Sequence, residues 1–405
     1  PHTKHNPADS RRQLATFLPY PFRLYFLLGA ISAVPAACAW AAAALGFYPL
    51  DTAPPLWHAF AFLQLTGGAA FAGFLFTAVP EWTHYTADLA RHTLATLALW
   101  LAAWISACFS LPLAAAAMIP FWLYLAGFTA HAAWKARDGG HNGVILAVLA
   151  IAAATAVFAA KPDLFWLKQT AHLFAVGIVL IAFRIGKALG QKALEGTAYS
   201  GCIFVPNPFY RNLAACFLYA FVAVQTWSGD AAVSGWLAAA AGLAVLGRLR
   251  EWHYPVLLKQ YYVRWYYLML AALGAGYIWQ GASLLAGTSA AAGFHLAMLG
   301  GYLAMLMQVF SIAGAVHSSL KLHYPPSSRL SLFLIALAAF SRCLGVPLGW
   351  DYAWTVMYLP ALLLSAAFLL YIPAYWRIFM TNPPLPVEAR EKEYSRKATA
   401  AGTFK

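Results

Sequence analysis

The sequence predicts an all-α protein that crosses a membrane about twelve times, with both ends of the chain in the cytoplasm. Of its 405 residues, 62% are hydrophobic and only 10% are charged, whereas a soluble domain carries about 25% charged residues. Apolar runs of about 20 residues, the length that crosses a hydrocarbon core of about 30 Å, recur along the chain. Backbone polar groups in lipid must pair within their own segment, so these runs are predicted to be helices.

Polar breaks divide the apolar runs into twelve spans of one transmembrane domain, residues 22–380. Residues 1–21 form a polar, basic N-terminal arm without the apolar core of a signal peptide, and residues 381–405 form a C-terminal cytoplasmic tail. The predicted spans are 22–46, 58–79, 92–110, 113–134, 142–160, 164–189, 209–228, 231–247, 260–282, 291–317, 329–346 and 352–378.

The net charge of +13 follows the predicted topology. Lys and Arg number 26, and all of them except Lys161, Lys168 and Arg342 fall on the side that holds both ends of the chain. This asymmetry obeys the positive-inside rule and supports both the number of spans and their orientation. It also predicts attraction to anionic membrane lipid. Because topology accounts for the basic excess, no nucleic-acid partner is expected.

Three histidines lie near the heads of spans that run in the same direction. His58, His172 and His295 belong to the second, sixth and tenth spans, all in the outer half. At a rise of 1.5 Å per residue, their depths agree within about 12 Å. Ionisable residues inside spans are functional candidates, and neutral imidazole is the usual axial ligand of haem. The three histidines together predict a metal centre, most simply a haem. Each histidine taken alone is equally typical of a residue that bonds to a neighbouring helix or lies among the lipid headgroups.

Two basic residues accompany these histidines. Lys168 stands one turn before His172 on the same helical face, and Arg342 lies near the outer end of the eleventh span. Either residue would neutralise a haem propionate at the outer surface. The alternative for both is a side chain that snorkels to the membrane interface.

Other chemistry finds little support in the sequence. All 13 acidic residues lie in loops or at span edges, which disfavours a proton-driven carrier and a proton-drawing oxidase or reductase. Serine nucleophile elbows and phosphate-binding loops do not occur. The 5 cysteines are scattered without a CxxC motif, as structural thiols are. With no catalytic constellation beyond a metal site, enzymatic turnover is left open.

Several stretches resemble the NnrS family of polytopic haem- and copper-containing membrane proteins linked to nitric oxide stress and denitrification. The residues GFLFTAVPEWTH from Gly73 to His84 are similar to the family's GFLLTAVPNWTG, and Trp57-His58 begins like its WHxHE. The run FHLAMLGGYLAML around His295 and the pair His172-Leu173 resemble two further segments, so the likeness covers most of the chain. His317 falls where the family has the histidine of its GHTGR motif, which makes it a further metal candidate.

The same comparison shows departures. Phe60 and Ala61 replace the second His and the Glu of WHxHE. A family histidine of the ninth span is missing from the run 273–279. We therefore expect a reduced site: one haem b, one metal ion, or neither, with copper the less supported cofactor.

The arrangement of twelve helices with ligands on the second, sixth and tenth resembles the catalytic subunit of haem–copper oxidases in layout only. That likeness ranks His58 and His295 as the axial pair of one haem, with His172 as a third ligand or an alternative.

Three functions follow from these residues and resemblances. The first is a haem-binding protein of nitric oxide stress or respiratory (denitrification) metabolism in the bacterial cytoplasmic (inner) membrane, with nitric oxide as a ligand. The second is a non-catalytic or assembly subunit, partnered by a respiratory complex or by its own copies. The third is a channel or carrier whose path is lined by His58 and His317.

Overall fold

The computed structural model describes residues 17–322 and 324–382. Within them lie twelve helices of 17 or more residues, which we number α1 to α12. Most are joined by short turns, and a short helix, Pro255–Leu258, lies between α8 and α9. The bounds are α1 Pro21–Ala44, α2 Pro54–Thr83, α3 Leu89–Ala107, α4 Leu111–Ala136, α5 Asn142–Ala160, α6 Leu164–Leu194, α7 Pro208–Trp227, α8 Ala231–Gly247, α9 Tyr261–Leu285, α10 Ala291–Val316, α11 Pro326–Leu344 and α12 Ala353–Thr381.

Each predicted span overlaps one of these helices, and 10 of them are long and apolar enough to cross a membrane. The prediction of an all-α membrane protein is thereby confirmed. The other two, α3 and α7, begin with polar turns that contain Arg91 and Arg211. Twelve crossings and the cytoplasmic position of both ends stay predictions. The predicted arm 1–21 and tail 381–405 lie almost entirely outside the described residues.

Three helices occupy the centre of the bundle. The most apolar 18-residue window is 89% buried in α2, 67% buried in α6 and 78% buried in α10, against 44–50% in the other candidate spans. Helices that follow one another in the chain pack against each other, and α12 packs against α1. We call the end at which α2, α6 and α10 begin the outer end, and the opposite end the inner end. The central helices therefore start together at the outer end.

Local sequence signals fix where the helices begin. Asp163 accepts a hydrogen bond from the Phe165 amide at 2.7 Å and caps α6, and Asp230 caps α8 in the same way. In α2 the first turn contains Pro54 and Pro55, residues whose fixed φ and missing N–H suit that position. These starts set the depth of the histidines that follow.

Arg23 ties the beginning of the bundle to its end. Its buried guanidinium donates hydrogen bonds to the carbonyl oxygens of Phe379 and Asn382, each at 2.8 Å. Because these carbonyls belong to the last turn of α12, Arg23 satisfies groups that a helix end leaves unpaired. The contact closes the ring of outer helices around α2, α6 and α10.

Replacing Arg23 with Met is expected to lower the free energy of unfolding by about 1–3 kcal/mol, because it leaves a buried acceptor without a donor. The midpoint of thermal unfolding in detergent measures the effect. Arg377→Met, on the exposed face of the same last turns, serves as the matched control. Equal midpoints for the two variants would contradict the anchoring role of Arg23.

Candidate functional site

A cavity of about 500 Å³ opens among the central helices at the outer end. Cavities of about 300–1,000 Å³ with mostly apolar walls and a few polar groups typically bind small molecules and cofactors. All five residues predicted to bind a cofactor contribute to its wall: His58, Lys168, His172, His295 and Arg342. We call this space the histidine cavity.

His58 reaches the cavity from the second turn of α2. Its ring packs edge-on against Phe62, with centroids 5.1 Å apart, and near Trp40 at 6.4 Å. Its Nδ1 lies 2.8 Å from the carbonyl oxygen of Ala36. A carbonyl only accepts, so Nδ1 carries the proton and, in the neutral ring, Nε2 keeps a lone pair. A hydrogen bond of this kind orients most metal-binding histidines.

His172 is buried two turns into α6. Its Nδ1 lies 2.8 Å from the hydroxyl of Tyr277, and its ring meets the edges of Phe221 and Phe294 at 4.9 and 5.5 Å. The Nε2 atom makes no hydrogen bond within the described chain. Tyr277 was not predicted as a site residue, because its only signal is a polar hydroxyl among the apolar residues of a span.

His295 differs because both of its nitrogens have partners. Nδ1 lies 2.7 Å from the carbonyl oxygen of Ala291, one turn earlier. Nε2 lies 3.3 Å from the Arg342 guanidinium, which donates to it. His295 therefore holds Arg342 in place, and Arg342 must release this nitrogen before a metal ion could bind there.

Among the described residues, the cavity wall carries two positive charges and no carboxylate. Lys168 is exposed at the rim and Arg342 is half-buried, while Asp and Glu are absent from the lining residues. These are two of the three basic residues that the sequence places on the outer side. An outer cavity with this charge favours a ligand that carries acidic groups.

Beyond His58, α2 continues as a π-helix over Ala61–Gly67, and beyond His295, α10 continues as a π-helix over Leu296–Leu303. Such segments are rare and concentrate at functional sites. In α2 the carbonyl oxygen of Leu65 accepts a hydrogen bond from the Trp100 indole at 2.9 Å, besides one from the Gly68 amide. These π-helical segments were not predicted from the sequence. A glycine pair lies at the end of the segment in α2, Gly67-Gly68, and another lies within the segment in α10, Gly300-Gly301.

Close backbone packing fixes the start of α10. An added Cβ at Gly276 in α9 would lie 2.4 Å from the amide nitrogen of Ala297, and one at Gly293 would lie 2.4 Å from that of Gln280. Only glycine lets the two backbones approach this closely. His295, two residues after Gly293, is positioned by this contact.

Two polar atoms in the wall lack partners. The Tyr302 hydroxyl and the Gln169 Oε1 are buried and make no hydrogen bond, and both residues line the cavity. Both oxygens are shielded by the surrounding protein atoms and do not open onto the cavity. Gln169, which stands between Lys168 and His172, belongs to no motif and was not predicted.

His317 lies apart from the cavity, at the inner end of α10. Its Nδ1 is 3.4 Å from a carboxylate oxygen of Glu81, and its ring lies 5.2 Å from that of Phe22. At 1.5 Å per residue, this is roughly 30 Å from His295 along the helix. Within the described residues, no group of three or more His, Cys, Asp or Glu side chains lies close enough to hold a metal ion.

The stretch Gly73–His84, which carries the sequence resemblance, builds the inner end of α2 and not the cavity. Its Trp82 contacts both the Arg184 guanidinium, 4.2 Å from the ring centroid, and the His141 ring, stacked at 5.6 Å. Glu81 contacts His317, as described. The motif thus joins α2 to neighbouring helices at the inner end.

The fold and site define a class: a multi-pass helical membrane protein whose most buried helices bring histidines to one ligand-sized cavity. Residues 16–382, nearly the whole chain, match the family model described as NnrS protein, and the chain belongs to the NnrS family. No curated protein matches it. Membership fits a membrane protein related to nitric oxide.

Gly293→Ala is expected to lower the free energy of unfolding by about 1–3 kcal/mol, since the added methyl overpacks a backbone contact. Gly127→Ala is the matched control, because nothing lies within 4 Å of a Cβ at that helical position. Thermal unfolding in detergent compares the two variants. If Gly293→Ala proved as stable as Gly127→Ala, the tight contact between α9 and α10 would be wrong.

Proposed function

We propose that this protein binds one b-type haem in the histidine cavity, within the outer half of a bacterial cytoplasmic membrane, and serves nitric oxide stress or respiratory (denitrification) metabolism. One observation carries the proposal. Imidazoles from the three most buried helices, together with two cations and no carboxylate, line a single cavity of about 500 Å³.

The residues present fit this cofactor. The Nε2 atoms of His58 and His172 have no hydrogen-bond partner among the described residues, and each ring is oriented through its Nδ1. The walls are mostly apolar and aromatic, as haem pockets are. We assign His58 as the first axial ligand because its proton is fixed on Nδ1 by a carbonyl.

The second axial position falls to His295 or His172. Layout favours His295, which lines the same cavity as His58. Its Nε2, however, accepts from Arg342, whereas that of His172 is unoccupied. An iron with two histidines favours electron transfer, and one with an open position binds nitric oxide.

Lys168 and Arg342 are proposed to pair with the haem carboxylates. A carboxylate that draws the Arg342 guanidinium away would also free Nε2 of His295. Arg342 would therefore link two events: the neutralisation of a haem carboxylate and the exposure of Nε2 of His295. His317 stays a separate metal candidate, proposed with Glu81 at the inner end.

The proposal predicts a Soret band in protein purified from haem-supplemented cells, and its loss in His58→Ala. Spectra of His172→Ala and His295→Ala identify the second ligand, because only the true ligand's removal converts the spectrum to that of an iron with one histidine. Metal analysis of the same samples reports iron and copper.

His131→Ala, an exposed histidine at the inner end, is the matched control and should keep the wild-type band. Wild-type protein without a Soret band after supplementation would refute haem binding. In that event, stable co-migration with a respiratory complex on native gels would favour the assembly role, and solute flux into liposomes would favour a channel or carrier.

Arg342→Gln is expected to weaken haem binding about tenfold or more, since a hydrogen bond to a charged group contributes about 1.5–3 kcal/mol. Titration of the apoprotein with haem measures the affinity. Haem whose propionates are esterified is the control, because it should bind wild type and Arg342→Gln equally. An equal loss with both forms of haem would assign Arg342 a purely structural role.

A further inference from the structure

A second cavity, of about 590 Å³, opens at the inner end between α4 and α5. We call it the inner cavity. Part of its wall is apolar and comes from Ala130 and Ala133 of α4 and Ile145 of α5. Trp134 also lines it and is 72% exposed. An exposed tryptophan at the end of a membrane helix is typical of the headgroup level of a bilayer, so the inner cavity faces the boundary between lipid chains and headgroups.

Two cations stand in the wall of the inner cavity, Lys135 in the last turn of α4 and Arg137 just beyond it. Both residues are exposed. Neither forms a salt bridge with a carboxylate of the described residues. The Lys135 ammonium instead lies 5.5 Å from the centroid of the Trp134 ring. Both charges are therefore available to an anion that enters the inner cavity.

The carboxylate in this wall, that of Asp138, is already bonded within its own turn. One oxygen accepts a hydrogen bond from the Gly140 amide at 2.8 Å, and the other lies 3.0 Å from Nε2 of His141. Two unpaired cations thus face one carboxylate that has partners. The mouth of the inner cavity is therefore basic, while Ala130 and Ile145, farther from the helix ends, make its deeper wall apolar.

The lipid-facing side of α4 leaves room beyond the inner cavity. Gly127 lies three residues before Ala130 and is exposed, and nothing lies within 4 Å of a Cβ added to it. Because Gly127, Ala130 and Trp134 are spaced by three and four residues, they share one face of the helix. An extended hydrocarbon chain can lie along this face, with its polar end at the cations.

We propose that the inner cavity binds one phospholipid with an anionic headgroup, its phosphate between Lys135 and Arg137 and one acyl chain along α4. Phosphate oxygens form strong, charge-assisted hydrogen bonds with lysine and arginine, and basic pockets between membrane helices bind anionic headgroups. A free phosphate would use the cations but not the apolar wall. The inference goes beyond the proposed function and does not rest on it.

The lipid would hold a turn that contacts two of the central helices. The Gly140 carbonyl oxygen accepts a hydrogen bond from Arg184 of α6 at 3.1 Å. The His141 ring stacks on Trp82 of α2 at 5.6 Å. A phospholipid bound across α4 and α5 would steady this turn, so it is expected to raise the midpoint of thermal unfolding.

The test titrates the full chain, purified in detergent, with phosphatidylglycerol and counts bound lipid by native mass spectrometry. Lys135→Gln combined with Arg137→Gln should weaken the tightest-bound lipid about 25-fold, because each cation near an anionic lipid contributes about fivefold. Lys259→Gln combined with Arg264→Gln is the matched control. It removes two exposed cations at the inner end of α9 that do not line the inner cavity, and it should bind this lipid as wild type does.

A photoreactive benzoylphenylalanine in place of Asn142, an exposed residue of the same wall, locates the lipid independently of the charge variants. In vesicles of phosphatidylglycerol and phosphatidylcholine it should attach mainly to phosphatidylglycerol. This measurement decides the question if the double variant fails to fold, and neither readout depends on haem.

Four results would overturn the inference. Equal weakening by both double variants would mean a general attraction to the inner charges, and equal binding of phosphatidylcholine would mean apolar contact alone. An equal rise of the unfolding midpoint with inorganic phosphate would make the site one for a free anion. Attachment of the photoreactive residue to a second copy of the chain would make this surface a protein interface.

Discussion

The structure depends on the burial of three helices. Because α2, α6 and α10 are enclosed by the other helices and run in the same direction, residues near their first turns meet at one end of the bundle. Packing at Gly276 and Gly293, and the anchoring of α1 to α12 through Arg23, hold this arrangement. The histidines share a cavity as a consequence of that geometry.

The cavity combines features that are costly unless a ligand uses them. His58 and His172, whose Nδ1 atoms are hydrogen-bonded, have Nε2 atoms without a hydrogen-bond partner among the described residues. Two cations, Lys168 and Arg342, stand at the end of the bundle where the positive-inside rule predicts few of them. Each feature alone is typical of a structural role; together they describe a cavity with cations in its outer part and apolar walls deeper in the bundle.

Much of this was predictable from the sequence, because hydropathy and charge obey strong rules in membranes. The helices, their direction, and the choice of His58, His172, His295, Lys168 and Arg342 follow from apolar run length and depth alone. The π-helical segments and the contact of Tyr277 with His172 do not, since these depend on contacts between helices distant in sequence. The contact of Arg342 with Nε2 of His295 was not predictable for the same reason.

An experimental density map of the protein purified from haem-replete cells tests the central claim most directly. The account predicts flat density in the histidine cavity, with its metal bonded to Nε2 of His58 and its acidic edge toward Lys168 and Arg342. A cavity that holds only lipid chains or solvent, with the three imidazoles keeping their present hydrogen bonds, would contradict it.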